Sequence, residues 1–137
     1  MLYAFDAFVS YRRKEPDLAW VRDILLPHLK EADVRVCVDF ENFRLGVPLV
    51  SEIERAITVS RYTVPILTPA YLGSAFTDFE TILADHLGLE EAESRLIAIV
   101  REPCALRLGL RARLWLDMSD DAKFDSSFTK LVAALLG

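Results

Sequence analysis

The amino-acid sequence predicts an α/β fold, a three-layer, doubly wound, flavodoxin-like sheet of five parallel strands. Two observations lead to this prediction. Short, continuous apolar segments recur along the 137 residues, and segments with helical spacing separate them. Continuous apolar strands are buried on both faces, which requires a parallel sheet covered by helices on each side. Right-handed crossovers between such strands then give the order 2-1-3-4-5.

The strands are rich in β-branched and aromatic side chains, as expected of a buried sheet. They are predicted at residues 4–9, 35–39, 62–67, 96–100 and 114–116. The third strand contains Pro65, which has no N–H to donate to a neighbouring strand. We therefore expect a local irregularity in the sheet at Pro65.

The helices are predicted from apolar residues that recur at helical spacing. The first opens at Pro16, and the others are expected at residues 51–57, 76–87 and 125–136. Pro27 lies inside the first helical pattern and should kink it or start a new turn. Residues 40–49, around Gly46, are predicted to form an exposed loop.

Composition and charge exclude several classes of protein. The hydrophobic fraction of 53% indicates a globular chain, and the net charge of −5 argues against general nucleic-acid binding. No apolar segment reaches the length that spans a bilayer, and the N-terminus lacks the basic region of a signal peptide. We expect a single domain over residues 1–137 in the cytoplasm. Cys37 and Cys104 lack metal-ligand spacing, as do His28 and His86, so we expect no metal site.

Candidate functional residues follow the predicted strands. In open α/β sheets, ligands bind beyond the carboxyl ends of the strands. Ser10, Arg12 and Arg13 follow the first strand, Asp39 ends the second, and Glu80 follows the third. A carboxylate and paired arginines at one edge of a sheet would suit a phosphorylated ligand that contains ribose.

Several motifs resemble those of Toll/interleukin-1 receptor (TIR) domains. The FDAFVSY segment at residues 5–11 looks like the first sequence box of that family, and VDFENFRLG at 38–46 resembles the second box and its loop. Leu67-Thr68-Pro69 is similar to the family's Leu-Ser-Pro turn. Together these motifs cover nearly the whole chain in the family's order, and they imply the flavodoxin-like fold.

The resemblance implies two possible functions in immune or stress signalling. Some TIR domains recruit other TIR domains, whereas others cleave the nicotinamide–ribose bond of NAD+. The catalytic glutamate of the second kind lies in a Trp-x-x-x-Glu motif, which corresponds to Phe76 and Glu80 here. The SYRR segment at residues 10–13 resembles the ligand-binding loop of the NAD-cleaving branch, whereas DLAWV at 17–21 resembles the receptor branch. We expect NAD+ glycohydrolase activity, with NAD+ as substrate and no resident cofactor. The alternative is a non-catalytic adaptor.

Glu80 is the expected catalytic residue. Nicotinamide is cationic in NAD+ and leaves as a neutral molecule, so its departure needs no general acid, unlike ordinary glycoside hydrolysis. One carboxylate could stabilise the oxocarbenium-like transition state. As an alternative role, a glutamate at a helix N-terminus is favoured by the helix dipole.

The other candidate residues have two possible roles each. Arg12 and Arg13 could grip the diphosphate through forked donors, or form a solvated pair with Glu15 and Asp17. Phe43 could stack on a base or anchor the loop. Ser10 could bind a ribose or, as we favour, the backbone of a turn.

The loop at residues 40–49 is also expected to take part in function. Asp39 is expected to order this loop, and Gly46 to supply a backbone conformation that other residues avoid. The apolar side chains Phe40, Phe43, Leu45 and Val47 favour self-association with other TIR domains, although they could instead fold onto the core. The product, ADP-ribose or a cyclic isomer, is left open.

Overall fold

The computed structural model describes residues 3–74, 95–104 and 115–137. Within these ranges the strands pair in parallel in the order β2-β1-β3-β4-β5, which confirms the predicted five-stranded doubly wound sheet. The strands are β1 Phe5–Ser10, β2 Val36–Cys37, β3 Ser60–Leu67, β4 Ile99–Val100 and β5 Leu116–Asp117.

Helices cover both faces of the sheet. They are α1 Asp17–Trp20, a π-helical segment Val21–Leu25, α2 Leu26–Glu31, α3 Asp39–Asn42, α4 Leu49–Val59, α5 Pro69–Ser74, a 3-10 turn Asp121–Lys123 and α6 Phe124–Leu136. The helix predicted at residues 76–87 lies outside the described residues. No helix in the described ranges is long and apolar enough to cross a membrane.

The first helical region runs without interruption from α1 through the π-helical segment into α2. Pro27 lies in the first turn of α2, immediately after the π-helical segment. The expected kink or new turn at Pro27 takes the form of this change in helical type, and the helix continues through Pro27. The wider helical turn before it keeps Val21, Leu25 and Leu29 buried against the sheet.

Pro65 interrupts the hydrogen-bond ladder between β3 and β4, as expected. Thr63 donates its backbone N–H to the Arg95 carbonyl and accepts from the Ile97 N–H, forming an isolated bridge with Leu96. Pro65 faces β4 with the same parity as Thr63 but has no N–H to give. Regular pairing resumes only at Ile66 and Ile99. For this reason β4 is shorter than the predicted 96–100.

Two hydrophobic cores lie on opposite faces of the sheet. On β1, Ala7 and Val9 point into one core and Phe8 into the other. The first core packs α1, α2 and α6 against the sheet, and the second packs α4 and α5. This arrangement is the predicted three-layer architecture.

Two details of the chain after β2 differ from the prediction. The predicted loop at residues 40–49 begins with the helical turn α3, because the Asn42 side chain accepts the Val38 N–H at 2.9 Å and its own N–H returns to the Val38 carbonyl. Helix α4 then starts at Leu49, two residues earlier than predicted. The exposed loop is therefore residues 43–48, called the 43–48 loop below.

Candidate functional site

The carboxyl end of β1 lies at the centre of the candidate site. Ser10 is the last residue of β1, and its hydroxyl is 2.8 Å from the hydroxyl of Tyr71 in α5. Tyr71 is buried, which raises the pKa of its hydroxyl. Ser10 therefore ties β1 to α5, a partner that neither sequence-based role had anticipated.

Tyr11, Arg13 and Asp39 form one cluster beside this strand end. The Tyr11 hydroxyl donates to Asp39 Oδ1 at 2.8 Å, and Arg13 Nε lies 2.8 Å from Asp39 Oδ2. Burial, together with the hydrogen bond to Asp39, raises the pKa of Tyr11 well above its usual value. Both carboxylate oxygens are thus engaged, and Asp39 joins β1 to the start of α3. This supports the expected loop-ordering role of Asp39.

Phe43 closes the cluster from the side of the loop. Its ring centroid lies 6.0 Å from that of Phe8 and 5.9 Å from the Arg13 guanidinium carbon, and it packs against the second core. These contacts suit an anchor for the loop. The cleft between Phe43, Ser10 and Asp39 encloses only about 30 Å³. Base stacking by Phe43 stays a prediction.

Arg12 differs from its neighbour Arg13. It is partly buried, yet its side chain makes no hydrogen bond or ion pair with any residue in the described ranges. The predicted pairing of the two arginines with Glu15 and Asp17 is absent. Glu15 accepts from the Ala19 N–H at 3.1 Å, and Asp17 accepts from Thr68. The structure thus separates two arginines that the sequence treats as equivalent.

The 43–48 loop is tied to α4 by a buried carboxylate. Glu52 has only 1% of its side chain exposed, and its Oε1 accepts from both the backbone N–H and Nε of Arg44 at 2.8 Å. Arg55 Nε donates to Glu52 Oε2 at 2.8 Å, and Arg55 also donates to the Asn42 carbonyl. Hydrogen bonds from the two guanidinium groups lower the pKa of Glu52 to about 2.

Sequence reasoning missed Glu52. Its position four residues before Ala56, on the buried side of α4, is the signal that could have found it. An acidic side chain on an apolar helix face needs cationic partners. The nearest arginines in sequence, Arg44 and Arg55, are those partners here.

Arg44, Glu52 and Arg55 thus form a bracket that holds the loop against α4. In the 43–48 loop and beside it, apolar side chains are exposed to solvent. Leu45 is 100% exposed, and Phe40, Leu49 and Val50 are each about half exposed. Phe43 and Val47 are partly buried. Gly46 has a φ of +79°, a left-handed conformation that other residues rarely adopt. The expected backbone role of Gly46 is confirmed.

A second cluster of buried hydrogen bonds joins the start of α1 to the start of α5. Asp17, which is 4% exposed, accepts the Thr68 hydroxyl proton at 3.1 Å, and Thr68 Oγ1 accepts the Tyr71 N–H. Thr68 thereby caps α5 and holds the start of α1 at the same time. The Leu67-Thr68-Pro69 turn is the sequence signal for it.

A larger cavity of about 200 Å³ lies beyond Asp17. Arg101 covers one side of it, with its guanidinium carbon 4.7 Å from the Trp20 ring centroid. Arg101 donates to the Met118 carbonyl and to Asp121, so its charge is compensated. The cavity wall consists of Pro16, Asp17, Trp20, Arg101, Glu102, Pro103 and Ser119.

Two further predicted site residues, Phe76 and Glu80, lie outside the described residues. Within residues 3–74, 95–104 and 115–137, no group of three or more histidine, cysteine or carboxylate side chains could hold a metal ion. Both cysteines are free thiols, and burial raises the pKa of Cys37 to about 11.

Related sequences agree with the motifs. Toll-like receptor 6 from Mus musculus is 38% identical over 99 residues, which is 72% of this chain and 12% of the receptor. The Protein toll of Drosophila melanogaster is 31% identical over 98 residues, 70% of this chain and 9% of that protein. The chain therefore spans a small part of the curated relatives that it matches.

Solved structures share the fold. The TIR domain of the Toll-related receptor TRR-2 from Hydra magnipapillata superposes with a TM-score of 0.81 at 19% identity, over 98% of this chain and 100% of that domain. A prokaryotic SEFIR domain gives a TM-score of 0.75 at 20% identity, over 96% of this chain and 92% of its own. The TIR domain profile matches residues 7–132. The chain therefore belongs to the TIR domain family.

Proposed function

We propose that this chain is a cytoplasmic TIR signalling domain that cleaves the nicotinamide–ribose bond of NAD+ after assembling with further TIR domains. The observation that supports catalysis is the cationic, polar end of β1, where Arg12 stands partly buried without a partner among the described residues. Guanidinium groups match the diphosphate of a dinucleotide. The strand end is also where α/β folds of this kind bind their ligands.

The chemistry requires few protein groups. The positively charged pyridinium ring is itself a good leaving group, and bond cleavage leaves positive charge on the ribose. A carboxylate beside the ribose stabilises that charge, and we assign this role to Glu80. Water then attacks the ribose to give ADP-ribose, or an adenine nitrogen of the same molecule attacks to give a cyclic isomer.

Self-association is the second part of this proposal, and the exposed apolar side chains around Leu45 support it. Leu45 is fully exposed, and Phe40, Leu49 and Val50 are about half exposed. A group of exposed apolar side chains of this kind is typical of an interaction surface, so we assign to it the contact with a second copy.

Incubation with NAD+ followed by chromatography tests the proposal. We expect free nicotinamide to accumulate, with a rate per chain that rises with protein concentration. The parallel appearance of ADP-ribose or its cyclic isomer would identify the product. Absence of nicotinamide at concentrations where sedimentation shows assembled chains would contradict the enzymatic proposal.

A non-catalytic adaptor is the second candidate function. Two observations favour it. The sequence relatives reported above include Toll-like receptors, and Arg13 forms an ion pair with Asp39, which occupies its charge. An adaptor needs only the association surface. It would bind TIR domains through the 43–48 loop and release no nicotinamide in the same assay.

A further inference from the structure

We propose that the cavity of about 200 Å³ beside α1 is a second small-molecule site, which takes an aromatic ring that carries a primary carboxamide. Its wall comes from the start of α1 and from the segments that follow β4 and β5. It shares no described wall residue with the cleft between Ser10, Asp39 and Phe43, so it is a site other than the proposed NAD+ site.

Trp20 supplies a hydrogen-bond donor that the fold does not use. Its side chain lines the cavity, the residue is 5% exposed, and its Nε1–H meets no acceptor among the described residues. A buried donor without a partner costs free energy, and most buried polar groups in folded proteins are paired. An acceptor on a ligand in the cavity would offset that cost.

Asp17, one helical turn before Trp20, supplies the matching acceptor. It is 4% exposed and its Oδ2 accepts the Thr68 hydroxyl, but its Oδ1 accepts no hydrogen bond from a described residue. Side chains at positions i and i+3 lie on the same face of a helix. The cavity wall therefore offers a donor and an acceptor side by side, which is the complement of a primary amide.

The charges of the wall favour a neutral ligand. Arg101 covers the Trp20 ring, and its guanidinium is already paired with Asp121. An anion would meet the carboxylates of Asp17 and Glu102, whereas a cation would meet the Arg101 guanidinium and leave the indole N–H unpaired. An uncharged amide avoids both costs.

The volume and the apolar part of the wall fit an aromatic ring. An apolar protein cavity of about 150 Å³ is large enough for benzene, so one of about 200 Å³ has room for a ring and its amide group. Pro16, Pro103 and the Trp20 ring provide apolar surface for it. Nicotinamide belongs to this class of ligand, so under the proposed function the site would bind the product of the domain's own reaction.

The indole N–H signal of Trp20 in nuclear magnetic resonance spectra tests the proposal. The chain has two tryptophans, and Trp115→Phe leaves Trp20 as the only source of that signal. The whole chain is titrated with benzamide, with benzoate, which is charged and has no N–H, and with N,N-dimethylbenzamide, which cannot donate. These analogues are compared on the wild-type chain, so they decide the question even where a variant does not fold.

Two variants remove the two polar groups in turn. Trp20→Phe removes the indole donor, and Asp17→Asn removes the free acceptor while keeping an oxygen for Thr68. Their affinities are read from the backbone amide signals around the cavity, and circular dichroism confirms that they are folded. Trp115→Phe is the matched control, since Trp115 is not among the residues of the cavity wall.

We expect benzamide to move the Trp20 indole proton signal downfield, as for a new hydrogen bond, and to bind about tenfold or more tighter than either analogue. Trp20→Phe should weaken benzamide binding about three- to tenfold, because a neutral hydrogen bond is lost. Asp17→Asn should weaken it about tenfold or more, because that bond is charge-assisted. Trp115→Phe should bind like the wild type.

Each contrary result has a distinct meaning. An unmoved Trp20 signal, tighter binding of either analogue, or wild-type affinity in the folded Asp17→Asn and Trp20→Phe variants would overturn the proposal. A chain that binds benzamide at Trp20 but releases no nicotinamide from NAD+ would uphold this site and contradict the hydrolase. A chain that cleaves NAD+ while benzamide leaves the Trp20 signal unmoved would do the reverse.

Discussion

At the scale of single residues, the Thr68 hydroxyl joins two helices. It donates to the buried Asp17 carboxylate and accepts the Tyr71 N–H, so one side chain ties the starts of α1 and α5. The Leu-Ser-Pro turn of TIR domains, which Leu67-Thr68-Pro69 resembles, has serine at the position of Thr68. The hydroxyl, which both residue types share, is thus the feature that the structure uses.

Substitution of Thr68 tests this role. Thr68→Val keeps the shape but leaves a buried carboxylate without its donor, and we expect the free energy of unfolding to fall by about 2 kcal/mol or more. Thr68→Ser keeps the hydroxyl and should lose less than about 1 kcal/mol. Urea unfolding monitored by circular dichroism measures both. A loss of stability in Thr68→Ser with none in Thr68→Val would show that the methyl group matters and the hydroxyl does not.

Glu80 is the residue on which the proposed catalysis depends. Removal of one electrostatic stabiliser typically lowers turnover about 100- to 1,000-fold, so we expect Glu80→Gln to abolish most nicotinamide release. Glu41→Gln is a matched control, because Glu41 is a surface carboxylate that pairs with Lys30. A folded Glu80→Gln variant with wild-type turnover would remove Glu80 from the mechanism.

At the scale of elements, the bracket of Arg44, Glu52 and Arg55 fixes the 43–48 loop to α4. Arg44 approaches from the loop and Arg55 from the next turn of the helix, and both donate to the same buried carboxylate. Hydrogen bonds to that carboxylate hold its pKa near 2, against an ordinary value of 4.5. The bracket is therefore fully charged at neutral pH.

This depressed pKa predicts a specific acid sensitivity. A carboxylate with a lower pKa in the folded chain stabilises it above the unfolded pKa, and that contribution is lost as pH falls from about 4.5 towards 2. The difference in the free energy of unfolding between the wild type and Glu52→Gln should be largest near about pH 7 and shrink below about pH 4. Urea titrations across this range measure it.

Glu54→Gln is the control for this prediction. Glu54 lies on the same helix, and its side chain makes no ion pair with any described residue. Its substitution should leave the pH profile close to that of the wild type. A Glu52→Gln profile that parallels the wild type at every pH would show that the bracket adds no pH-dependent stability.

The elements show what sequence alone can predict. Helix α6 and the interruption at Pro65 follow from patterns within a few residues, and the strand order follows from the alternation of strands and helices along the chain; all were predicted. The ion pair between Arg13 and Asp39 was not predicted, because it joins side chains from separate parts of the chain whose distance depends on the packed fold. Asp39 was assigned to a strand end for a related reason: its helical turn depends on the Asn42 cap.

At the scale of the whole molecule, the exposed apolar residues around the 43–48 loop are the clearest surface for association. Four of them, Phe40, Leu45, Leu49 and Val50, lie close together in sequence and are about half to fully exposed. Isolated exposed residues of this kind are ordinary, but a group on one connection marks an interaction site. The proposed self-association would use this surface.

Two substitutions in the loop test the assembly. Leu45→Glu should shift sedimentation to the monomer and lower nicotinamide release, because it places a charge at the proposed contact. Gly46→Pro should do the same, since proline cannot adopt a φ of +79°. Leu45→Met keeps the apolar surface and should assemble normally. Constant activity per chain across a wide dilution series, with only monomer in sedimentation, would rule the mechanism out.

The Glu52 bracket has a consequence for how such a domain would be switched on. Because Glu52 holds the root of the 43–48 loop in the single chain, the loop is ordered when the domain folds and two chains that meet have little further order to gain. A trigger then need not change the shape of the domain. Under the proposed function, a rise in the local concentration of copies would then act as the signal, and dispersal would end it.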